Sequence, residues 1–326
     1  MTNLSEIQAA LAPHLERMNK FIKSSLHSDS DLMNSIVDNY LKRSGKQLRP
    51  IMVLLSAKLR GEVNDNVLYA GAAIELLHNA SLIHDDVIDQ ARQRRGVDTI
   101  NHVWNNHIAV LVGDFFVSRA LVCGVNSNSP IMQILANLGA DLSLGEVDQF
   151  DTARNHTITE DNYFDIISKK TASLFTSCVE VGALASGAAW NSEQMQAIKR
   201  YAQLLGLCFQ IKDDTFDYFH DPVVGKPTGN DLREGKVTLP LIYALSRRDD
   251  DRHAEMVALV GKTLLTTQEI DTLITWAIDS GGIDYAYRTM HRLRNEAQQL
   301  LAQAFEPGEV TEMLDQIFAY IISRDK

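Results

Sequence analysis

The stretch LYAGAAIELLHNASLIHDDVID, from Leu68 to Asp89, is apolar for most of its length and acidic at its end. Its Ala, Leu and Ile residues recur at helical spacing without the alternation of a strand, which predicts a long and largely buried α-helix. Near its end, Asp85 and Asp89 are four residues apart and project from one face, with Asp86 beside them. Because carboxylates this close repel one another, the pattern indicates a ligand that compensates their charge.

A second acidic cluster repeats this spacing. The stretch FQIKDDTFD contains Asp213, Asp214 and Asp217, and Gln210 lies three residues before Asp213 and seven before Asp217, on the same face. A single cluster is equally typical of a solvated helix end, but two copies on separate helices favour a binding site. Carboxylates with little His or Cys nearby suit Mg²⁺ or Mn²⁺, and Mg²⁺ usually binds through one or two carboxylates together with phosphates.

Basic residues accompany both clusters. They are Lys46, Arg49, Arg94, Arg95, Lys169, Lys170, Lys226 and Lys236. His78 is seven residues before Asp85 and shares its helix face. Taken singly, such lysines are usually surface residues and such a histidine is usually a core residue. Together they indicate two phosphate sites, one mediated by metal and one formed directly by Lys, Arg and His.

Composition excludes several classes of protein. The net charge of −11 disfavours a nucleic-acid partner or an anionic lipid surface. Three scattered cysteines are typical of buried thiols in a reducing compartment. The first residues lack the apolar run of a signal peptide, and no uninterrupted apolar stretch reaches the ~20 residues of a membrane span. We therefore expect a soluble cytoplasmic protein with no membrane span.

The chain is predicted to form one all-α domain over residues 1–326, with about a dozen helices. Thr159 is placed to cap one continuous helix, EDNYFDIISKKTASLFTSCVEVGALASGAA, over residues 160–189. Asn191 with Gln194 suits a capping box for a helix from roughly Ser192 to Phe219. The loops Gln90–Asp98 and Asp221–Gly235, rich in Gly, Pro and charge, each follow an acidic cluster. We expect both loops at a common end of the helices.

Five ordered motifs resemble those of the trans-polyprenyl diphosphate synthases. They are GKQLRP, LIHDDVID with RRG, SKKTASLF, FQIKDDTFD and GKPTGNDLREGKVTLP, and the resemblance runs from about Arg43 to Leu241. It implies a helical bundle of the isoprenoid synthase type I kind around a central cavity, and a homodimer. It also implies a prenyltransferase that joins isopentenyl diphosphate to an allylic prenyl diphosphate, head-to-tail and all-trans.

The resemblance also implies roles for individual residues. Mg²⁺ ions, about three and replaceable by Mn²⁺, would bind Asp85, Asp89, Asp213 and Asp217. Asp86 and Asp214 would support them, and the six aspartates with Lys170 would carry the reaction. The allylic diphosphate would bind Arg94, Lys170, Thr171, Gln210, Lys226 and Lys236. Isopentenyl diphosphate would bind Lys46, Arg49, His78 and Arg95.

The residues before Asp85 bear on product length. Ser81, Leu77 and Ile74 lie four, eight and eleven residues before it on one side of the helix, and Ala80 lies five before it. Short-chain members of the family typically have an aromatic residue at the fourth or fifth position. Here roughly 16 Å of helix contains none, which favours products of about C30 or longer, with C35–C45 preferred, such as quinone side chains.

Other interpretations of the sequence remain open. Ala80 and Ser81 could be small because helices pack closely there, and the stop would then come from another helix, with Phe115, Phe116, Leu135 and Leu138 as candidates. A short-chain farnesyl or geranylgeranyl diphosphate synthase is one alternative, and the catalytic subunit of a heteromeric synthase is another. The basic isopentenyl set argues against a terpene cyclase, and the intact aspartates argue against a non-catalytic subunit.

Overall fold

A computed structural model describes residues 4–42, 45–94, 96–155, 159–219 and 228–324. These residues are almost entirely helical, as predicted. The helices are α1 (Leu4–Ser25), α2 (Asp31–Leu41), α3 (Leu48–Lys58), α4 (Asp65–Ile88), α5 (Ile100–Val103), α6 (Asn106–Asn126), α7 (Met132–Asn155), α8 (Glu160–Ile167), α9 (Ser173–Ala185), α10 (Ser192–Phe216), α11 (Asn230–Arg233), α12 (Leu239–Ser246), α13 (His253–Val260), α14 (Thr267–Asp279), α15 (Gly282–Ala304) and α16 (Glu309–Ser323).

Two smaller elements interrupt the helices. A hairpin of β1 (Gln93–Arg94) and β2 (Val97–Asp98) follows α4, and a π-helical turn, Ser168–Ala172, lies between α8 and α9. The described helices outnumber the expected dozen because several of them are only one or two turns long. The chain folds into two compact units. The single domain over residues 1–326 stays a prediction.

The first unit comprises Met1–Ala140, Leu174–Arg200 and Leu301–Gln316. Its core includes α3, whose residues Ile51 to Leu55 have no exposed surface, and α4, which packs mainly on α6 and also on α1 and α3. The predicted helix is therefore confirmed as α4, which is capped by the Asn64 side chain. Helix α9 approaches α3 so closely that a Cβ at Gly182 would lie 2.2 Å from the Val53 carbonyl oxygen.

The second unit comprises Asp141–Ser173, Tyr201–Leu300 and Ile317–Lys326. One apolar cluster in it joins α12, α13 and α14 through residues such as Leu241, Met256 and Leu273. The predicted cap is confirmed, because the Thr159 side chain accepts a hydrogen bond from the Asn162 backbone and begins α8.

Helix α10 carries the second acidic cluster. It begins at Ser192 as predicted, and the Asn191 side chain accepts the Gln194 N–H at 2.8 Å. The other half of the predicted capping box is absent, because the Gln194 side-chain oxygen accepts no hydrogen bond from the described residues. The helix ends at Phe216 rather than Phe219. The difference arises because Asp217 leaves the helix, and its carboxylate caps the next helix, α11.

By length and composition, α6 is apolar enough to cross a membrane. The core helix of a globular protein passes the same test, and this helix carries Asp114 and Arg119 inside its apolar run. The expected absence of a membrane span therefore stays a prediction.

Candidate active site

The first acidic cluster lies at the end of α4, and its members differ in exposure. Asp89 is exposed and Asp85 is partly exposed, whereas Asp86 is buried. The Arg94 guanidinium donates from Nε to Asp86 Oδ1 at 2.8 Å. The middle aspartate therefore holds a basic side chain, while the first and fifth retain contact with solvent.

Short hydrogen bonds tie the basic loop after α4 back to the helix. Arg94 lies in the hairpin, where it pairs with Val97. The Thr99 hydroxyl donates to the Ala91 carbonyl at 2.7 Å, and the Asn101 amide donates to the Asp86 carbonyl at 3.1 Å. This geometry fixes Arg94 beside the cluster, as the sequence predicted. Arg95 lies outside the described residues.

Three of the four residues expected to bind isopentenyl diphosphate are described: Arg49 lies on α3, His78 on α4 and Lys46 in the loop before α3. Arg49 donates from Nε to Glu75 Oε2 at 3.1 Å, and both side chains are 19% exposed. Glu75 is three residues before His78 on α4, so the ion pair brings Arg49 to the same helix turn. Lys46 is exposed. Glu75 was missed by the sequence reasoning, which had no signal for a contact 26 residues away.

In the second cluster the middle aspartate is again buried. Asp214 Oδ1 accepts the Gln210 amide at 2.8 Å, and Asp214 Oδ2 accepts the Tyr163 hydroxyl at 2.6 Å. Burial raises the pKa of Asp214 and of Tyr163 well above their usual values. Asp213 remains 39% exposed at its side chain. Both clusters thus share one pattern, in which the middle carboxylate is buried and accepts hydrogen bonds from other side chains of the protein.

The π turn carries Lys170 and Thr171 toward this network. Thr171 donates to Gln210 Oε1 at 2.7 Å, and Lys170 pairs with Glu146. Helix α7 comes so close that a Cβ at Gly145 would lie 2.6 Å from Lys170 Cγ and 3.0 Å from its backbone N. A π turn inserts one residue into a helix and is frequent at functional sites. Here it orients Lys170 and Thr171, two residues that are predicted to bind the allylic diphosphate.

Several of these side chains line a cavity of about 170 Å³ within the second unit. Its polar lining includes Lys170, Gln210, Asp214, Lys236, Tyr163 and Asp231. Burial, together with the neighbouring Asp217, raises the pKa of Asp231 to about 7. The cavity therefore brings carboxyl, amide and ammonium groups together in one place.

Asp217 has backbone partners at both carboxylate oxygens. They accept the N–H groups of Asn230 and Asp231, each at 3.0 Å, at the start of α11. Each oxygen has a further lone pair, so the bonds orient the carboxylate without using its whole acceptor capacity. Asp231 and Tyr163 are functional candidates that the sequence reasoning missed. Asp231 lies in the motif GKPTGNDLREGKVTLP, whereas no local sequence pattern indicates Tyr163.

Lys226 lies outside the described residues, so its predicted contact with the allylic diphosphate stays a prediction. Lys236 is described: its ammonium group pairs with Glu234 at 2.6 Å, and its backbone N–H donates to the Asp231 carbonyl at 2.7 Å.

The four residues proposed to limit product length, which form the chain-length wall, differ in burial. Ile74 and Ala80 have no exposed surface, whereas Leu77 and Ser81 are partly exposed. Because α4 is continuous here, Ser81 lies about 40° around the helix from Asp85, and Ala80 lies about 140° around. Of the two small residues, Ser81 therefore shares the face of Asp85.

Among the residues that the structure describes, no three His, Cys, Asp or Glu side chains converge closely enough to hold a metal ion alone. This arrangement still suits Mg²⁺, which usually takes one or two carboxylates and completes its shell with water and substrate phosphates. Asp85 and Asp89, one helical turn apart, would supply such oxygen ligands, as would Asp213 and Asp217. The donor chemistry therefore fits the metal predicted from the sequence.

Comparison with known proteins identifies the family. The model of the Polyprenyl synthetase family matches residues 30–276. The all-trans-nonaprenyl-diphosphate synthase (geranyl-diphosphate specific) of Rhodobacter capsulatus is 36% identical over 92% of this chain and 91% of its own length. Heptaprenyl diphosphate synthase component 2 of Geobacillus stearothermophilus is 32% identical over 99% of this chain and 97% of its own.

A solved decaprenyl diphosphate synthase from Rhodobacter capsulatus matches in structure with a TM-score of 0.90 and 32% identity, covering 99% of this chain and all of that one. The chain belongs to the polyprenyl synthetase family and is a prenyltransferase, a trans-polyprenyl diphosphate synthase of the medium- or long-chain type. Short-chain synthases also occur among its relatives.

Proposed function

We propose that the chain catalyses Mg²⁺-dependent, head-to-tail, all-trans condensation of isopentenyl diphosphate with an allylic diphosphate, giving quinone side-chain precursors. The observation that carries this proposal is the repeated arrangement of the acidic clusters, each with its middle aspartate tied to the residues beside it. Asp86 holds Arg94, and Asp214 holds Gln210. In each case a side chain that the sequence predicts to contact the diphosphate lies beside the carboxylates at the cluster's first and fifth positions.

In this proposal Asp85, Asp89, Asp213 and Asp217 hold the metal. When bound, Mg²⁺ neutralises the charge that develops on the departing diphosphate as the allylic C–O bond breaks. Mn²⁺ has the same preference for oxygen ligands and would substitute. The family resemblance implies about three ions.

The protein's own cations bind the remaining diphosphate charge. Arg94, Lys170, Lys226 and Lys236 would contact its oxygens, with Thr171 and Gln210 as hydrogen-bonding neighbours. The allylic C–O bond breaks first and gives an allylic cation and pyrophosphate. The double bond of isopentenyl diphosphate then attacks the cation and forms the new C–C bond. The proton lost from the adduct goes to the departing pyrophosphate. Apolar side chains exclude water from the allylic cation.

Isopentenyl diphosphate would bind Lys46, Arg49, His78 and Arg95. The Arg49–Glu75 ion pair supports this assignment, because it holds the guanidinium against the helix that carries His78. A guanidinium fixed in this way loses little side-chain freedom when it binds a diphosphate.

We propose products of about C30 or longer, with C35–C45 preferred, because Ser81, the small residue on the face of Asp85, places no bulky side chain there. Relatives named as nonaprenyl, octaprenyl and heptaprenyl synthases support this range. The short-chain relatives keep a farnesyl or geranylgeranyl product as the alternative.

We propose a cytoplasmic homodimer. A second candidate is the catalytic subunit of a two-part synthase, which is favoured by similarity to a heptaprenyl diphosphate synthase named as component 2. Purified protein incubated with labelled isopentenyl diphosphate and an allylic primer distinguishes the two. Release of pyrophosphate that requires Mg²⁺ supports the homomeric enzyme. No release with any allylic primer contradicts it, and activity restored by a second protein supports the two-part synthase.

A further inference from the structure

Arg324, which follows α16, is a buried cation with no role in the proposed reaction. Its side chain is only 6% exposed. A guanidinium is costly to remove from water unless it is paired and hydrogen-bonded. Its contacts therefore identify what its burial stabilises.

The partners of Arg324 all lie on one face of α10. Its Nη2 donates to Asp213 Oδ1 at 2.5 Å and to the Phe209 carbonyl at 3.0 Å. The guanidinium stacks 4.1 Å from the Phe209 ring centroid and lies 5.6 Å from that of Phe216. Residues 209, 213 and 216 are spaced by four and three, so they share a helix face.

These contacts hold Arg324 in place. The guanidinium stacks on the ring of Phe209 and makes a charge-assisted hydrogen bond with the carboxylate. Separating the guanidinium from Asp213 would leave the buried charge of Arg324 without a partner. We therefore expect the ion pair to persist when a cation binds, with one Asp213 oxygen held by Arg324.

We propose that Arg324 is a positioning residue for Asp213, and that it sets the metal affinity of the second acidic cluster. This inference rests on the proposed function, in which Asp213 is a metal ligand. Mg²⁺ demands near-ideal octahedral geometry, so a ligand that is already oriented binds it with less reorganisation. Hydrogen-bond partners of metal-binding carboxylates act in this way, and their loss typically weakens metal binding about 10–100-fold.

A purely structural role, in which Arg324 only fastens α16 to α10, makes a different prediction. Lys212 provides the matched control. It is buried on α10, donates to the Tyr287 hydroxyl at 2.8 Å, and lies 5.1 Å from the centroid of the same Phe216 ring. Its hydrogen bond goes to a phenol rather than to a carboxylate of the cluster. Lys212→Met thus removes a comparable buried cation without altering the Asp213 pair.

The test is titration with Mn²⁺, followed by electron paramagnetic resonance, with inorganic pyrophosphate present. Arg324→Met should raise the Mn²⁺ concentration for half-saturation about 10–100-fold. Arg324→Lys, which keeps the charge but not the planar group, should fall between Arg324→Met and wild type. Lys212→Met should bind Mn²⁺ as wild type does. Circular dichroism verifies that each variant is folded.

Wild-type affinity in Arg324→Met would overturn the inference, as would tighter binding, which would mean that Arg324 competes with the metal. If Arg324→Met does not fold, Arg324→Lys decides, and wild-type affinity in that variant overturns the inference. Equal weakening in Lys212→Met would assign the effect to packing. A wild-type protein that binds no Mn²⁺ with pyrophosphate would instead overturn the proposed function itself.

Discussion

Tyr163→Phe tests the hydrogen-bond network that the structure adds to the second acidic cluster. The substitution removes only the hydroxyl that donates to Asp214 Oδ2 at 2.6 Å. Both residues are only 6% exposed, so Asp214 Oδ2 stays largely shielded from bulk water when the donor is lost. Leaving a buried acceptor unsatisfied costs about 1–3 kcal/mol, and we expect the free energy of unfolding to fall by that amount.

Tyr40→Phe is the matched control. The Tyr40 hydroxyl donates to Asn79 Oδ1 at 2.9 Å, but Asn79 is partly exposed, so water can take the place of the hydroxyl. Its removal should cost at most about 0.5–1.5 kcal/mol, the net contribution of an ordinary hydrogen bond.

The assay is equilibrium unfolding in urea at neutral pH, compared at equal slope of the transition. Tyr163→Phe should also lower kcat, because Asp214 then holds Gln210 less firmly. A loss of stability no larger than that of Tyr40→Phe would refute the inference that the Tyr163–Asp214 bond is an important part of the site.

Three further predictions concern the substrates. Arg49→Ala should weaken isopentenyl diphosphate binding by about 2–5 kcal/mol and spare metal-dependent binding of an allylic analogue, whereas Asp85→Ala should do the reverse. Both affinities can be measured by calorimetry, and equal defects in the two variants would contradict two separate sites. Gly145→Ala should displace Lys170 and thereby lower kcat/KM for the allylic substrate roughly ten- to a hundredfold in steady-state assays. Gly139→Ala should leave kcat/KM unchanged, because a Cβ at Gly139 meets no atom within 4 Å. Ser81→Tyr should shorten products to about C15–C20 on chromatography, and unchanged length would remove that position from the wall.

The sequence was most informative where the signal is local. Helix α4, its acidic end and the caps at Thr159 and Asn191 follow from residues within a few positions of one another, and the structure contains all of them. Spacing within each cluster also placed the carboxylates on one helix face. These features depend on helical geometry and capping, which neighbouring residues determine.

Other features depend on contacts between distant residues. Tyr163 is 51 residues from Asp214, and Arg324 is 111 residues from Asp213, so no local pattern could connect them. The sequence predicted one continuous helix where the structure has the π turn. This turn carries Lys170 close to Gly145 of α7, and the sequence gives no sign of this approach except the small residue at position 145.

Product length decides whether the long-chain assignment is right. The purified protein, incubated with Mg²⁺, labelled isopentenyl diphosphate and farnesyl or geranylgeranyl diphosphate, yields chains that are dephosphorylated and sized by chromatography. The small residues before Asp85 leave room for a long tail, so the account predicts all-trans products of about C35–C45. A principal product of about C15 or C20, formed with excess isopentenyl diphosphate, would contradict the long-chain assignment.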